Sequence, residues 1–85
     1  MPTVEIYTRA TCGYCFRAKR LLDMRGVAYD ERPLEGDPAA FDEMVTRAGG
    51  RTTVPQIFID GRHIGGCDDL MELERSGELG ALLGQ

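Results

Sequence analysis

Apolar side chains recur with a period of two in some stretches of this chain and near 3.6 in others, and the changes mark its elements. Val4 and Ile6 alternate with Thr3, Glu5 and Tyr7, which predicts a first strand. Cys15, Ala18 and Leu22 then fall at i, i+3 and i+7 with Leu21 beside them, the apolar stripe of a helix over residues 13–25. Thr11 is placed as its N-cap and Gly26 as its stop. Val27–Arg32 reads as a second short strand. Asp37-Pro38 supplies a cap followed by proline at the first helical position. Phe41, Met44, Val45 and Ala48 carry that second helix up to Gly49-Gly50.

Further on, Gln56-Ile57-Phe58-Ile59, an Asp60-Gly61 turn and Arg62-His63-Ile64 predict an antiparallel hairpin. After Gly65-Gly66, Asp69 with Glu72 reads as a capping box opening a third helix that carries Leu70 and Leu73. Leu79, Leu82 and Leu83 add a last helical turn or two, interrupted by Gly77 and Gly80. A helix between the first two strands is what a parallel βαβ crossover requires. The order β-α-β, α, β-β-α predicts an α/β chain with a mixed four-stranded sheet and helices on both faces. That is the thioredoxin-like layout.

Composition narrows the class. At 85 residues, one domain over residues 1–85 is expected. The 42% hydrophobic and 28% charged fractions suit a globular fold and argue against disorder. A net charge of −4 argues against nucleic-acid binding. No apolar run approaches the roughly 20 residues of a membrane span, so no membrane role is expected. The first residues carry neither a basic stretch nor an apolar stretch of the kind that directs secretion. Three cysteines form a poor disulfide framework, which points to a reducing cytoplasmic compartment with thiols that are reactive or metal-bound.

Charge is unevenly distributed. Arg9, Arg17, Lys19, Arg20 and Arg25 cluster on and before the first helix, while Asp68, Asp69, Glu72, Glu74 and Glu78 crowd the C-terminal end. Two solvated helix faces account for this, and so does a positive rim around the cysteines suited to an anionic thiol.

The candidate chemistry lies in Cys12-Gly13-Tyr14-Cys15, where the first strand hands over to a helix. Free N–H groups and the positive end of the helix dipole favour a thiolate on Cys12. Such settings lower a thiol pKa from about 8.5 to roughly 3.5–7.5. Cys15 is in phase with Ala18 and Leu22, so it is expected to be buried, one turn from Cys12 and able to resolve a mixed disulfide. Arg9 adds a positive charge upstream, and Tyr14 offers an exposed aromatic wall or simple local packing. The same cysteine pair is half of a zinc site, and Cys12, Cys15, His63 and Cys67 would satisfy the ligand count. Against zinc, His63 reads as a surface residue in mid-hairpin and no second cysteine pair exists.

Thr53-Val54-Pro55 precedes the third strand. Pro55 is either strand-entry punctuation or a cis bond that exposes the Val54 backbone to a substrate peptide. Gly65-Gly66 permits close backbone approach before a helix whose first N–H groups suit a carboxylate. Asp68 and Asp69 either hold an ammonium there or cap the helix.

Together, Cys12-Gly13-Tyr14-Cys15, Thr53-Val54-Pro55 and Gly65-Gly66-Cys67-Asp68-Asp69 resemble the glutaredoxins in order and spacing, over nearly the whole chain. The hairpin Gln56–Gly61 is similar too. The resemblance is to dithiol members that carry a third cysteine after the double glycine. It implies a glutathione-dependent oxidoreductase that reduces protein disulfides and glutathione mixed disulfides, with Cys12 as nucleophile and Cys15 as resolving thiol. It implies glutathione bound along Arg9, Tyr14, Thr53, Val54, a cis Pro55, Gly66, Cys67, Asp68 and Asp69. Glutathione is the co-substrate and no metal is required. Expected partners are glutathionylated or disulfide-containing proteins, ribonucleotide reductase among them, acted on by a monomer.

Gly13 departs from the proline that many dithiol members carry, and glycine should loosen the helix start. Some members with a small residue there bind a [2Fe–2S] cluster between two subunits through the first cysteine and glutathione. Cluster binding or transfer is the alternative that this departure carries.

Overall fold

The computed structural model describes residues 2–85. Its elements run β1 (Val4–Thr8), α1 (Gly13–Met24), β2 (Asp30–Pro33), α2 (Pro38–Arg47), β3 (Gln56–Ile59), β4 (Arg62–Gly65), α3 (Cys67–Ser76) and α4 (Glu78–Leu82). The strands form one mixed sheet in the order β2-β1-β3-β4, with β1 parallel to β2 and antiparallel to β3. This is the expected thioredoxin-like arrangement.

Register explains why the sheet is covered on both faces. Val4 pairs with Ile59 and Ile6 with Ile57, so alternate positions of β1 and β3 aim apolar side chains at one face. There they meet Ala18, Leu21 and Leu22 of α1, Leu70 of α3 and Leu79 of α4. The intervening residues Tyr7 and Phe58 turn to the other face and pack with Leu34 and with Met44 and Ala48 at α2. Each fully buried Leu or Ile contributes about 1.5–3 kcal/mol of transfer free energy, which is how a short chain sustains two thin cores.

Four boundaries differ from the sequence reading, each for a local reason. The N-cap of α1 is Cys12 and not Thr11, because the Cys12 sulfur accepts the Cys15 N–H at 3.1 Å. Strand β2 begins at Asp30 and not Val27: the Val27 N–H still donates to Leu22 O at 3.3 Å, and Val27 and Tyr29 lean on the core beneath. Strand β4 continues to Gly65. Helix α3 begins at Cys67, so Asp69 is its third residue and not its cap. The Asp69 carboxylate accepts the Gly66 N–H at 2.8 Å, while Glu72 pairs with Arg75.

Strand β2 is exposed along its length and ends in Pro33, as suits a sheet edge. Among the described residues no helix is long and apolar enough to cross a membrane.

Candidate redox site

Strand β1 is the central support of the site. It delivers the Arg9–Thr11 loop to the start of α1, where Cys12 is partly exposed and Cys15 only 1% exposed. Burial of Cys15 follows from its phase with Ala18 and Leu22 on the stripe facing the sheet. The two sulfurs are joined as a disulfide across a Cα–Cα distance of 5.2 Å. The first turn of α1 contains no acidic side chain, so nothing there opposes negative charge on Cys12 when the bridge is reduced.

A second loop faces this one. The bond between Val54 and Pro55 is cis, and the Val54 carbonyl oxygen lies 3.9 Å from Cys12 Sγ. Beside it is a cleft of about 250 Å³. Tyr14 walls one side, Thr53, Val54 and Pro55 another, and Gly66, Cys67, Asp68 and Asp69 line the end at the start of α3. Residues from three separate stretches of sequence are thus brought together. A larger hollow of about 570 Å³ between β4, α3 and α4 has no lining residue from 12–15 or 53–55. The smaller cleft is walled by Tyr14 of the cysteine motif and by Val54, whose carbonyl faces Cys12 Sγ, so the chemistry belongs to the smaller cleft.

The first glycine of the pair is a steric requirement, and the second sits in close but ordinary contact with the cleft wall. Gly65 has φ +118, and a Cβ there would lie 2.3 Å from Asp69 Oδ2. At Gly66 a Cβ would meet Pro55 O at 3.4 Å and a guanidinium nitrogen of Arg51 at 3.5 Å.

Arg51 is the lining residue that sequence reasoning missed. Its Nη1 lies 3.3 Å from Asp69 Oδ2, so it brings a positive charge to the start of α3. The Gly66 N–H, then Arg51, hold the Asp69 carboxyl below its ordinary value. Asp69 is therefore occupied within the protein, whereas Asp68 is exposed on the cleft with no ion-pair partner among the described residues. The only sequence signal for Arg51 was its position two residues before Thr53.

Arg9 lies outside the cleft, with its guanidinium 5.9 Å from the centre of the Phe41 ring. The basic cluster is also less uniform than its sequence suggests. Lys19 pairs with Glu31 at 3.0 Å and Arg25 with Glu74 at 2.5 Å, while Arg17 rests 5.8 Å over the Tyr14 ring. Tyr14 is 57% exposed and Phe16 54%, so the approach to the cysteines is partly apolar.

Cys67 is 4% exposed, and burial pushes its thiol pKa up. His63 lies on strand β4 as expected and is partly exposed, but its ring is engaged within the fold. Its ring lies 5.0 Å from that of Phe58, and its Nε2 is 2.7 Å from Gln56 Oε1, so one ring nitrogen is already engaged. Among the described residues, no three His, Cys, Asp or Glu side chains converge as metal ligands.

Comparison with known proteins gives this geometry a family. The glutaredoxin family model matches residues 4–64. The chain is 58% identical over 83 residues to glutaredoxin 3 of Escherichia coli strain K12, covering 98% of this chain and 99% of that protein. It is 54% identical to a glutaredoxin of Pseudomonas aeruginosa, with 98% of each covered. Among solved structures, a buckwheat glutaredoxin–glutathione complex superposes with a TM-score of 0.87 at 37% identity, covering 95% of this chain and 76% of that one. The solution structure of a glutaredoxin from Brucella melitensis gives 0.83 at 49% identity, covering 95% and 87%. Carrying a half-exposed cysteine bonded to a buried one beside a cis-proline cleft, the chain belongs to the glutaredoxin family of thiol–disulfide oxidoreductases.

Proposed function

We propose that Cys12 is the nucleophile and Cys15 the resolving thiol of a glutathione-dependent reaction on protein disulfides and glutathione mixed disulfides. The observation that carries the assignment is the asymmetry of the pair. Cys12 Sγ is at the helix start beside the cleft, while Cys15 lies beneath it, covered from substrate but within bonding reach of the Cys12 sulfur.

In the monothiol route, the Cys12 thiolate attacks the glutathione sulfur of a mixed disulfide. A Cys12–glutathione disulfide forms and the protein thiol leaves. A second glutathione thiolate attacks that adduct, giving oxidised glutathione and restoring Cys12. In the dithiol route, Cys12 attacks a protein disulfide and expels one thiolate. Cys15, on losing its proton, attacks the Cys12 sulfur, expels the second thiolate and closes the Cys12–Cys15 bridge. Two glutathione molecules then reduce the bridge and become oxidised glutathione.

The cleft suits glutathione group by group. The Val54 backbone meets the cysteinyl unit in strand-like fashion beside Cys12. The γ-glutamyl carboxylate is taken by the start of α3, with Arg51 supplying charge, and its ammonium by Asp68. The glycyl end runs past Tyr14 towards Arg9, which leaves Phe41 to meet it. Dithiol chemistry needs only these residues and glutathione, whereas the [2Fe–2S] reading needs a second subunit, so the former is preferred. A single 85-residue domain working as a cytoplasmic monomer on glutathionylated proteins or ribonucleotide reductase fits this chemistry.

The test is NADPH consumption in a coupled assay with glutathione, glutathione reductase and hydroxyethyl disulfide. Wild type and Cys15→Ser are expected to be active and Cys12→Ser inactive. Activity retained in Cys12→Ser would sink the assignment of roles.

A further inference from the structure

We propose that His63 and Gln56, neither of which lines the cleft, are positioning residues that hold the Thr53–Pro55 segment in its binding conformation. The inference rests on the reading of the cleft as the glutathione site. It begins with Gln56, whose side chain is fully buried at the first position of β3, immediately after the cis proline. A buried carboxamide is costly unless both its ends are satisfied. Here both are, and by residues on opposite sides. Gln56 Nε2 donates to the Thr53 carbonyl at 3.1 Å and to Thr53 Oγ1 at 3.3 Å, while Oε1 faces His63 Nε2 at 2.7 Å.

These contacts fix the proton positions. The Thr53 carbonyl can only accept, so the amide nitrogen must be the atom that faces it. Gln56 Oε1 therefore points at His63 and can also only accept. His63 Nε2 must then carry the hydrogen, which makes the neutral ring the Nε2–H tautomer.

The far end of the relay is anchored in the core. His63 pairs with Phe58 across the β3–β4 ladder, beside a register shift between Ile57 and Phe58, and its ring lies 5.0 Å from the Phe58 ring. Phe58 is 1% exposed and held by the edge of Tyr7 at 5.8 Å and by the Arg47 guanidinium at 4.1 Å. Position is thus transmitted from Phe58 to His63, from His63 to Gln56, and from Gln56 to Thr53. Thr53 is the first residue of the segment whose Val54 carbonyl lies beside Cys12. Residues 51–53 are exposed, and among the described residues Gln56 is the one side chain that hydrogen-bonds Thr53.

Protein variants separate this role from general packing. His63→Leu and Gln56→Leu are expected to raise KM for a glutathionylated peptide about five- to tenfold, the worth of roughly one lost hydrogen bond. The rate at which iodoacetamide alkylates reduced Cys12 should not change, because the sulfur itself is untouched. His63→Gln, whose Nε2–H reaches a similar point, should restore KM to within about twofold of wild type. Unchanged KM in His63→Leu, or no rescue by His63→Gln, would overturn the relay. Should the leucine variants fail to fold, nitrogen-15 spectra of the wild-type imidazole decide it. The Nε2–H tautomer supports the relay and the Nδ1–H tautomer overturns it. Wild type that does not saturate with the peptide overturns the cleft reading instead, a separate outcome.

Discussion

The carbonyl oxygen of Val54 lies 3.9 Å from Cys12 Sγ, although the two residues are 42 positions apart. The contact is made because β1 and β3 are neighbours in the sheet, with Tyr7 opposite Gln56. Each strand ends in a loop that carries half of the site, one with the nucleophilic sulfur and one with the backbone beside it. Chemistry and recognition are therefore joined through a single strand pair.

That juxtaposition predicts a trappable intermediate. With Cys15→Ser, a mixed disulfide formed on Cys12 has no internal thiol to displace it. Incubation with a glutathionylated peptide in the absence of free glutathione should leave a Cys12–glutathione adduct, visible as added mass in intact-protein mass spectrometry. Wild type should instead pass on to the Cys12–Cys15 bridge and release glutathione. An adduct mapped to Cys67 in place of Cys12 would contradict the mechanism.

Gly65→Ala tests the first glycine of the pair as a steric necessity. A methyl group would collide with the Asp69 carboxylate and would hold φ near +118, a region side chains rarely adopt. Strain of this kind costs about 1–3 kcal/mol. For a domain of this size the melting temperature should fall by roughly 5–20 °C. Gly13→Ala is the control, since a Cβ there meets nothing within 4 Å and should leave the melting temperature nearly unchanged.

Much of this was legible along the chain because it is local. Asp37-Pro38 opens α2 and its side chain caps Ala40 as the motif implies, since cap and recipient are three residues apart. The Cys12–Cys15 pair and the burial of Cys15 follow from helical phase alone. What escaped depends on tertiary approach. Val27–Tyr29 alternates like a strand, but its apolar side chains are drawn onto the core before pairing begins. Asp69 looks like a cap because the cap and the third helical position favour the same residue, and only the backbone of Gly66 tells them apart. Arg51 and His63 carried no periodic signal, because their partners Asp69 and Phe58 are supplied by other elements.

Arg51 should contribute to glutathione affinity without touching the reacting sulfur. Arg51→Gln removes the charge beside the start of α3 and releases Asp69, adding a free negative charge where a carboxylate is to bind. KM for a glutathionylated peptide should rise about tenfold at low salt, with kcat little changed. The difference from wild type should shrink as ionic strength increases, because the site is open to solvent. A variant with lowered kcat and unchanged KM would place Arg51 in another role.

Acid should destabilise the protein in two steps. Burial, with Arg51 nearby, holds His63 below its ordinary 6.5, only partly opposed by Asp69. The unfolded chain then takes up that proton first, so stability declines as pH falls below about 6.5. Glu5, held down chiefly by Arg47, and Glu31, held down by the Thr8 hydroxyl and Lys19, act in the lower range, as does Asp69. Their stabilisation is present above ordinary carboxylate values near 4 and is lost as pH falls through their lowered folded values. Urea midpoints measured from pH 8 to 3 should show both declines, and His63→Gln should remove the first alone.

Cys67 should be dispensable for turnover despite lining the cleft. Its thiol is 4% exposed and burial favours the protonated form, outweighing the nearby Arg17 charge that would lower its pKa. A protonated, covered thiol is a poor nucleophile. In reduced protein at neutral pH, iodoacetamide should therefore modify Cys12 well before Cys67. Cys67→Ala removes only the sulfur from a wall of the cleft and should keep kcat, with KM altered no more than about threefold. A tenfold loss of kcat in Cys67→Ala would mean that the third sulfur takes part in exchange, and the two-cysteine mechanism would have to be redrawn around it.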